Sequence, residues 1–524
     1  MQLQPLREFP YMSQPISVTI LTKNSQQHLS NCLHSLQRFS EVIVLDNGST
    51  DETLAIAARF PNVRIVEHAF LGFGPMKNLA AQHAAHSWVL SIDSDEVLSP
   101  QLTEEILQLD LRDTHQVYSF LRHNFYGTKH IKACGWDNDY VLRLYHKGTT
   151  RFADLPVHEY IITDGLQVQA LRGTMDHYSF NSISQLIAKM DQYTTLFAKE
   201  KRFRKRSSPA ISYFKWAFSL FRNYVLQRGF LYGYEGMAIS FSNANGTFYK
   251  YMKLHEENQR LGISLVITTY NWKEALGTVL RSAFQQSELP REIVVADDGS
   301  REDTRALVAQ LAKESPVPVL HSWQEDLGFR AAESRNRAIA MATGEYVVII
   351  DGDMVLHPDF LKGHRRAARK GYFTQGKRVL LSPELSQKLF SRGPSPISPL
   401  SSGIKNRFNA TNSPFLSRLF SKDKAGIASI KSCNMGFWME DIVRVNGFNE
   451  DFVGWGREDS EFAIRLLNSG TKRQNLAFGG VAYHLHHQEN SRQSLAANDA
   501  LLEKAISEKS TFCPNGIDKH FHKK

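Results

Sequence analysis

The chain has 524 residues, 42% of them hydrophobic and 22% charged, with a formal net charge of +9. That length exceeds one ordinary core and predicts two or three domains of ordinary globular composition. No run of about 18 apolar residues points to a spanning helix, and the positive excess suits an anionic partner such as nucleic acid, anionic lipid or a phosphorylated substrate. Cys32, Cys134, Cys433 and Cys513 are too scattered for a zinc pattern or a disulfide framework, which predicts a reducing, cytoplasmic setting. The first fifteen residues lack the apolar core of a signal peptide, so the sequons at Asn245 and Asn409 read as chance.

In chain order, ISVTIL (16–21) reads as a buried strand and Leu29, Cys32, Leu33 and Leu36 as one helix face. Strand VIVL (42–45) runs into a turn at Asp46. A helix near 51–59, strand VRIVE (63–67) and strand SWVLSI (87–92) follow, the last ending at Asp93. The order then recurs: strand ISLVIT (263–268), a helix near 273–285, strand EIVVA (292–296), the Asp297 turn, a helix near 303–313, and strand EYVVII (345–350) ending at Asp351. Alternating strands and helices predict mostly parallel α/β sheets with ligands at the strand carboxyl ends, where Asp46, Asp93, Asp297 and Asp351 fall.

Between the copies, 183–197 carries apolar residues at helical spacing, and KEKRFRKR (199–206) holds six basic residues in eight. An aromatic stretch, 211–236, follows, with breakers expected at Pro209, Gly229, Gly233 and Gly236. Basic residues beside an aromatic amphipathic stretch predict a surface that lies on an anionic membrane. A Ser/Pro/Asn-rich segment, 391–415, reads as a long loop, a candidate lid. The expected domains are 15–182, an extension at 183–258, 259–490 with an insert at 391–423, and a tail at 491–524.

The chemistry is densest in the second copy. Asp351 and Asp353, one residue apart at a strand end, suit a divalent cation that would bridge the phosphates of a nucleotide-sugar. The Asp297 carboxylate suits a hydrogen bond from a base such as uracil. In FVGWGREDSEF (452–462), Glu458 and Asp459 open a helix. The helix dipole favours carboxylates there, and a general base for an acceptor hydroxyl is the functional alternative. Trp455 offers a sugar-stacking wall, and His484, His486 and His487 follow as possible metal ligands.

These motifs together make residues 263–487 resemble a family 2 glycosyltransferase of the GT-A fold, with a galactosyltransferase-type C-terminal part marked by GWGxED and a His-rich strand. The resemblance implies that Asp297 contacts uracil with Asp298 beside it. It implies that Asp351 and Asp353 hold Mn2+ or Mg2+ with the diphosphate, that Asp459 is the base with Glu458 beside it, and that His484 and His487 complete the metal site. GFRAAESRNRAI (328–339) and CNMGFWMEDIVRVNGFNEDF (433–452) resemble family stretches too. Residues 15–255 resemble the lipopolysaccharide-core glucosyltransferase group of the same family, through LDNGSTDET, GFGPMKNLAAQHA (72–84), LSIDSDEVLSP (90–100), RFADLPVHEYI (151–161) and HYSF (177–180). Here the implied nucleotide-sugar residues are Asp46, Asn47 and Asp93. Asp95 is the implied metal ligand, with Glu96 extending the cluster. The VHE motif falls on His158 and Glu159, making Glu159 the base candidate and Asp154 its alternative.

The expectation is a bifunctional, inverting, membrane-peripheral enzyme on the cytoplasmic face. It would transfer sugars from nucleotide-sugars, UDP-sugars foremost, to a lipopolysaccharide-core or related glycolipid or oligosaccharide acceptor, with no nucleic acid involved. The rivals are a polymerase alternating two sugars, and one active domain fused to an inactive glycan-binding one. A nucleotidyltransferase would need a Gly-rich basic loop that ILTKNSQQ (20–27) and ITTYNWKE (267–274) do not provide.

Overall fold

The computed structural model describes residues 14–154, 159–428, 430–487 and 495–521. Chain contacts divide the protein into two units, Met1–Glu200 with Ser207–His255 and Lys201–Arg206 with Glu256–Lys524.

In the first unit, the apolar run after Gln14 forms β1 (Ile16–Thr22), buried on both faces as a central parallel strand must be. Around it stand β2 (Glu41–Asp46), β3 (Val63–Glu67), β4 (Trp88–Asp93), β5 (Glu96–Leu98), β6 (Gln116–Tyr126), β7 (Lys129–His130), β8 (Asp139–His146) and β9 (Gln167–Phe180). The sheet order is β3-β2-β1-β4-β8-β6-β9-β5, with β7 on β6. Strands β1 to β4 are parallel, and Ile16, Val18, Ile20, Val42, Val44 and Leu90 form the centre of the core. β1 takes β2 on one side and β4 on the other, so the chain order reverses there and opens a crevice at the strand carboxyl ends. Register puts Thr22 opposite Asp46 and Leu21 opposite Asp93.

The second unit repeats this with β10 (Ile263–Thr269), β11 (Glu292–Asp297), β12 (Val319–Trp323) and β13 (Tyr346–Asp351). They are followed by β14 (Met354–Leu356), β15 (Tyr372–Gln375), β16 (Arg378–Leu381), β17 (Ile404–Lys405), β18 (Lys422–Asp423), β19 (Asn434–Trp438), β20 (Lys472–Asn475) and β21 (Ala482–His484). The larger sheet runs β12-β11-β10-β13-β19-β15-β20-β18, and a smaller one runs β14-β21-β16-β17. Thr269 lies opposite Asp297, and Thr268 opposite Asp351. The two crevices are thus built from the same four-strand order and the same register.

Local chemistry adjusts several expected elements. The helix near 51–59 is limited to Thr53–Ala57, because Pro61 biases Phe60 away from helical geometry. Pro209 starts a helix, Pro209–Phe221, rather than breaking one; Ser208 caps it, its Oγ accepting from Ile211 N. Gly236 lies inside the helix Gly233–Gln259, where a Cβ would collide with the Gly229 carbonyl oxygen. The segment 391–415 is not wholly irregular. It contributes β17 to the smaller sheet, and Ser413 and Pro414 start the short helix Pro414–Phe420.

Candidate active sites

In the second unit, a cavity of about 1700 Å³ opens at the ends of β10, β11 and β13. Its walls include Asp298, Arg335, Asp351, Asp353, Trp455, Glu458, Asp459, His484 and His487, and residues 403–405 of the insert. Antiparallel pairing of β14 with β21 sets Met354 opposite His484 and so brings the histidine strand to the turn that carries Asp353. Asp353 Oδ2 lies 3.5 Å from His484 Nε2 and 3.1 Å from His487 Nε2. These three donors all lie within 4.8 Å of one another. The other oxygen, Asp353 Oδ1, is buried without a hydrogen-bond partner. Burial, opposed by the Asp353 carboxylate, holds His484 below the ordinary imidazole range, so the ring is neutral as a ligand must be. One carboxylate and two imidazoles fit a first-row divalent cation. His486 faces the cavity outside this trio, its backbone N–H donating to Ser386 Oγ at 2.9 Å.

The opposite wall is acidic. Helix Glu458–Asn468 starts from Arg457, whose φ of +78° is a strained conformation for a non-glycine residue and aims the two carboxylates inward. Glu458 Oε1 accepts from Arg335 Nη1 at 2.9 Å, and Asp459 Oδ2 accepts from Ser432 N at 3.0 Å. Burial and the neighbouring Glu458 push Asp459 up to about 6, against the pull of Arg335. Burial raises Asp351 to about 6 as well, again against Arg335, with Asp353 adding to the rise. Trp455 forms an exposed wall at the mouth.

The two carboxylates after β11 have different surroundings. Asp297 is fully buried, accepting from Ser300 N at 2.8 Å and pairing with His321 Nε2 at 2.8 Å, and it holds the turn. Asp298 lines the cavity, accepts from Gln324 Nε2 and Arg330 N, and is pushed by burial up to about 6.

In the first unit, Asp46 is likewise buried, accepting from Thr22 Oγ1 and from the N–H groups of Gly48 and Ser49. Burial would raise its pKa, but the bonds from Ser49, Thr22 and Gly48 outweigh this and hold it below the usual range. Asn47 stands beside it, its Oδ1 buried without a partner. Asp93 is met by Lys77 Nζ at 2.8 Å and Arg143 Nη2 at 2.6 Å. Despite burial, these two cations hold Asp93 well below the usual carboxylate range. Glu96, fully buried, is paired with Arg143 and Arg122, so it is a counter-charge rather than an extension of a metal cluster. Asp95 Oδ2 lies 3.5 Å from His177 Nε2. Glu159 lies 3.7 Å from Lys77 Nζ. Asp154 is paired with Arg151 and accepts from Asn78 Nδ2 at 3.1 Å. His158 lies outside the described residues.

Superposing the registers shows a part of the site that motif reading missed. Lys77-Asn78 and Arg335-Asn336 each stand sixteen residues before the strand-end aspartate (93 minus 77, 351 minus 335). Each cation is buried, reaches that aspartate, and also reaches a glutamate of the base motif: Lys77 to Asp93 and Glu159, Arg335 to Asp351 at 3.5 Å and to Glu458 next to Asp459. Each also sits over a phenyl ring, Lys77 over Phe152 at 5.2 Å and Arg335 over Phe448 at 5.4 Å. Each asparagine clamps the backbone of that same phenylalanine from both sides, Asn78 at 2.9 and 2.9 Å, Asn336 at 2.7 and 2.8 Å. Two residues beyond the ring, Asp154 and Glu450 both accept from the asparagine. The repeated Lys/Arg-Asn pair at one fixed spacing was the signal available in the sequence.

Register also explains the unequal histidines. Pairing of β5 with β9 sets Glu96 opposite His177, the counterpart of Met354 opposite His484. Three residues on, the first unit has Phe180 where the second has His487. Among the described residues, the trio of the second unit is the one group of three such donors close enough to hold a metal.

A family model described as glycosyl transferase family 2 matches residues 17–166 and 264–418, and one described as the N-terminal domain of galactosyltransferase matches residues 419–488. An uncharacterized glycosyltransferase of Rickettsia typhi is 29% identical over 256 residues, covering 46% of this chain and 87% of that protein. The lipopolysaccharide core biosynthesis glycosyltransferase LpsC of Rhizobium meliloti is 27% identical over 198 residues (36% and 72%), and the chondroitin synthase of Escherichia coli is 26% identical over 239 residues (43% and 34%). Among solved structures, the mannosyltransferase PcManGT of Pyrobaculum calidifontis, in complex with GDP-Man and Mn2+, is 20% identical with a TM-score of 0.34, covering 47% of this chain and 65% of that one.

Proposed function

The chain belongs to glycosyltransferase family 2, and from that premise we propose that it carries two separate sites, each transferring a sugar from a nucleotide-sugar donor to an acceptor hydroxyl with inversion. The observation that carries this reading is the repeated buried cation that links a strand-end aspartate to the base motif: Lys77 joins Asp93 to Glu159, and Arg335 joins Asp351 to Glu458, the neighbour of Asp459.

In the second site, Asp459 takes the proton from the acceptor hydroxyl as its oxygen attacks the anomeric carbon and the bond to the diphosphate breaks. A carboxyl at about 6 is ionised at neutral pH and still basic enough to accept that proton. Arg335 holds Glu458 and Asp351 in place and offsets their charge. Asp353, His484 and His487 would hold the divalent cation, Mn2+ or Mg2+, which when bound neutralises charge on the departing diphosphate. Asp297 sets the turn and Asp298 faces the nucleotide base. In the first site, Glu159 is the base, Lys77 and Arg143 place positive charge beside Asp93, and Asp95 with His177 faces the donor phosphates. Trp455 stacks on a sugar ring.

The acceptor is a lipopolysaccharide-core or related surface glycolipid, met at the cytoplasmic face of an anionic membrane. LpsC, a lipopolysaccharide core glycosyltransferase, supports that acceptor class. A second reading, a polymerase alternating two sugars, is supported by the likeness to chondroitin synthase. The unequal bases and histidines of the two sites favour two successive, different transfers.

The test is nucleoside-diphosphate release across a panel of nucleotide-sugars with core glycolipid as acceptor. Asp459→Asn is expected to remove one donor's turnover and Glu159→Gln another's. Loss of both donors in either single variant would overturn the two-site reading.

A further inference from the structure

One helix in the helical part of the first unit is built inside out. In Pro209–Phe221 and the π-helical turn that continues it, Arg222–Leu226, the buried residues are Ser212, Ser219 and Asn223. At 3.6 residues per turn these share one face. Phe214, Phe218, Phe221 and Val225 share the opposite face, and all four are exposed, Phe214 to 71%. The first turns of helix Gly233–Gln259 show part of the same pattern: Gly236, Ser240 and Ala244 are buried beside Ile239, while Tyr234, Met237 and Phe241 are exposed; farther along, Tyr251 and Leu254 are buried in the ordinary way. Phe230 and Leu231, in the turn between the helices, are exposed as well.

The seam between these helices is polar. Asn243 Nδ2 donates to Asn223 Oδ1 at 3.0 Å and Trp216 Nε1 donates to Asn245 Oδ1 at 3.0 Å, while Asn223 Nδ2 donates one turn back along its own helix to the Ser219 carbonyl at 2.7 Å. In water a helix buries its apolar stripe and exposes its polar face. Small and polar residues in the seam with large apolar residues outside is the arrangement of helices packed in an apolar solvent. A contiguous exposed apolar face of this kind marks an interaction surface. Residues 207–234 contain Lys215, Arg222 and Arg228 and no acidic residue, and Lys215 and Arg222 are exposed along one flank of the aromatic face. No helix among the described residues is long and apolar enough to cross a membrane.

We infer that this face inserts into the acyl region of an anionic bilayer, with Lys215, Arg222 and Arg228 at the level of the lipid phosphates. The inference rests on the membrane placement proposed above and deepens it, because anchoring comes from aromatic insertion rather than from adsorption of the basic segment 199–206.

The test is flotation of the full chain with vesicles of phosphatidylcholine and phosphatidylglycerol at low and high salt. Wild type is expected to float in both. The double variant Phe214→Ser/Phe218→Ser should lose about tenfold of its partition per ring, with unchanged thermal unfolding. Wild-type protein that stays unbound would overturn the inference. So would binding that high salt abolishes and the double variant leaves intact, or light scattering showing that this face instead pairs two copies of the chain. Vesicle binding is read without turnover, so an inactive protein that still floats would count against the transferase reading alone.

Discussion

The two sites share a skeleton but differ in how their charges are balanced. In the first unit Asp93 meets both Lys77 and Arg143, and Glu96 meets Arg143 and Arg122. In the second unit the register positions of Arg143 and Glu96 are taken by Met435 and Met354, both buried. Where the first unit buries an ion pair, the second buries two methionines in separate parts of its core, so neither charge is left without its partner. The consequence is electrostatic. Asp93 is neutralised by the protein itself, whereas Asp351 and Asp459, with Arg335 shared among the acidic groups, are both pushed up to about 6 by burial and by each other's neighbours. An uncompensated acidic wall next to Asp353, His484 and His487 is suited to draw in a divalent cation. The first site has its positive charge built in.

That contrast can be broken at several points. The largest effect is expected at the second base. Asp459→Asn should lower that site's turnover about 10²–10⁴-fold and leave the other donor's rate unchanged, as steady-state kinetics on each donor would check. Next come the shared cations. Arg335→Met removes the cation of Glu458 and Asp351, an expected cost of about 3–5 kcal/mol to the second unit, whereas Lys77→Met should cost the first unit less, because Arg143 still meets Asp93. Urea unfolding followed by limited proteolysis would assign the loss to one unit or the other. A smaller effect is expected at the histidines. His487→Phe, which copies Phe180 of the first unit, should weaken Mn2+ binding by about tenfold or more (about 1.4 kcal/mol), read by titration calorimetry.

The mildest prediction concerns pH. Asp298, at about 6, holds its proton more tightly folded than unfolded. Its contribution to stability is therefore fully present below the usual carboxyl range, about 4, and is lost as pH rises through about 6. Asp46 has the opposite sign: its pKa lies below the usual range, so its contribution is present above that range and lost as pH falls. Asp298→Asn, which copies Asn47, should flatten the decline of the urea midpoint between those limits. Turnover at the second site should also fall as pH drops below about 6, where Asp459 takes up a proton.

Much of this was legible in the sequence, and the limits have physical causes. The buried parallel strands are continuous apolar runs, so β1, β2, β10, β11 and β13 fall within a residue or two of their expected bounds. Asp93, Asp95, Asp351 and Asp353 could be placed because each follows such a strand directly. What depends on distant pairing was not legible. That Asp297 turns towards His321 needs the β11–β12 register, and that His177 answers to His484 needs β9 and β21 to pair with β5 and β14. The Asn78 and Asn336 clamps are formed with residues 74 and 112 positions away. Pro209 and Gly236 read as breaks by residue type, whereas their roles, first-turn residue and close-approach point, depend on position within a helix.

The most direct test of the central claim, two independent transfer sites in one chain, is donor-resolved nucleoside-diphosphate release with Asp95→Ala and Asp353→Ala. The account predicts that each variant loses one donor and keeps the other, and that chelation of divalent metal matches the Asp353→Ala pattern more closely. A single donor lost on Asp353→Ala, with Asp95→Ala indistinguishable from wild type across the panel, would contradict it.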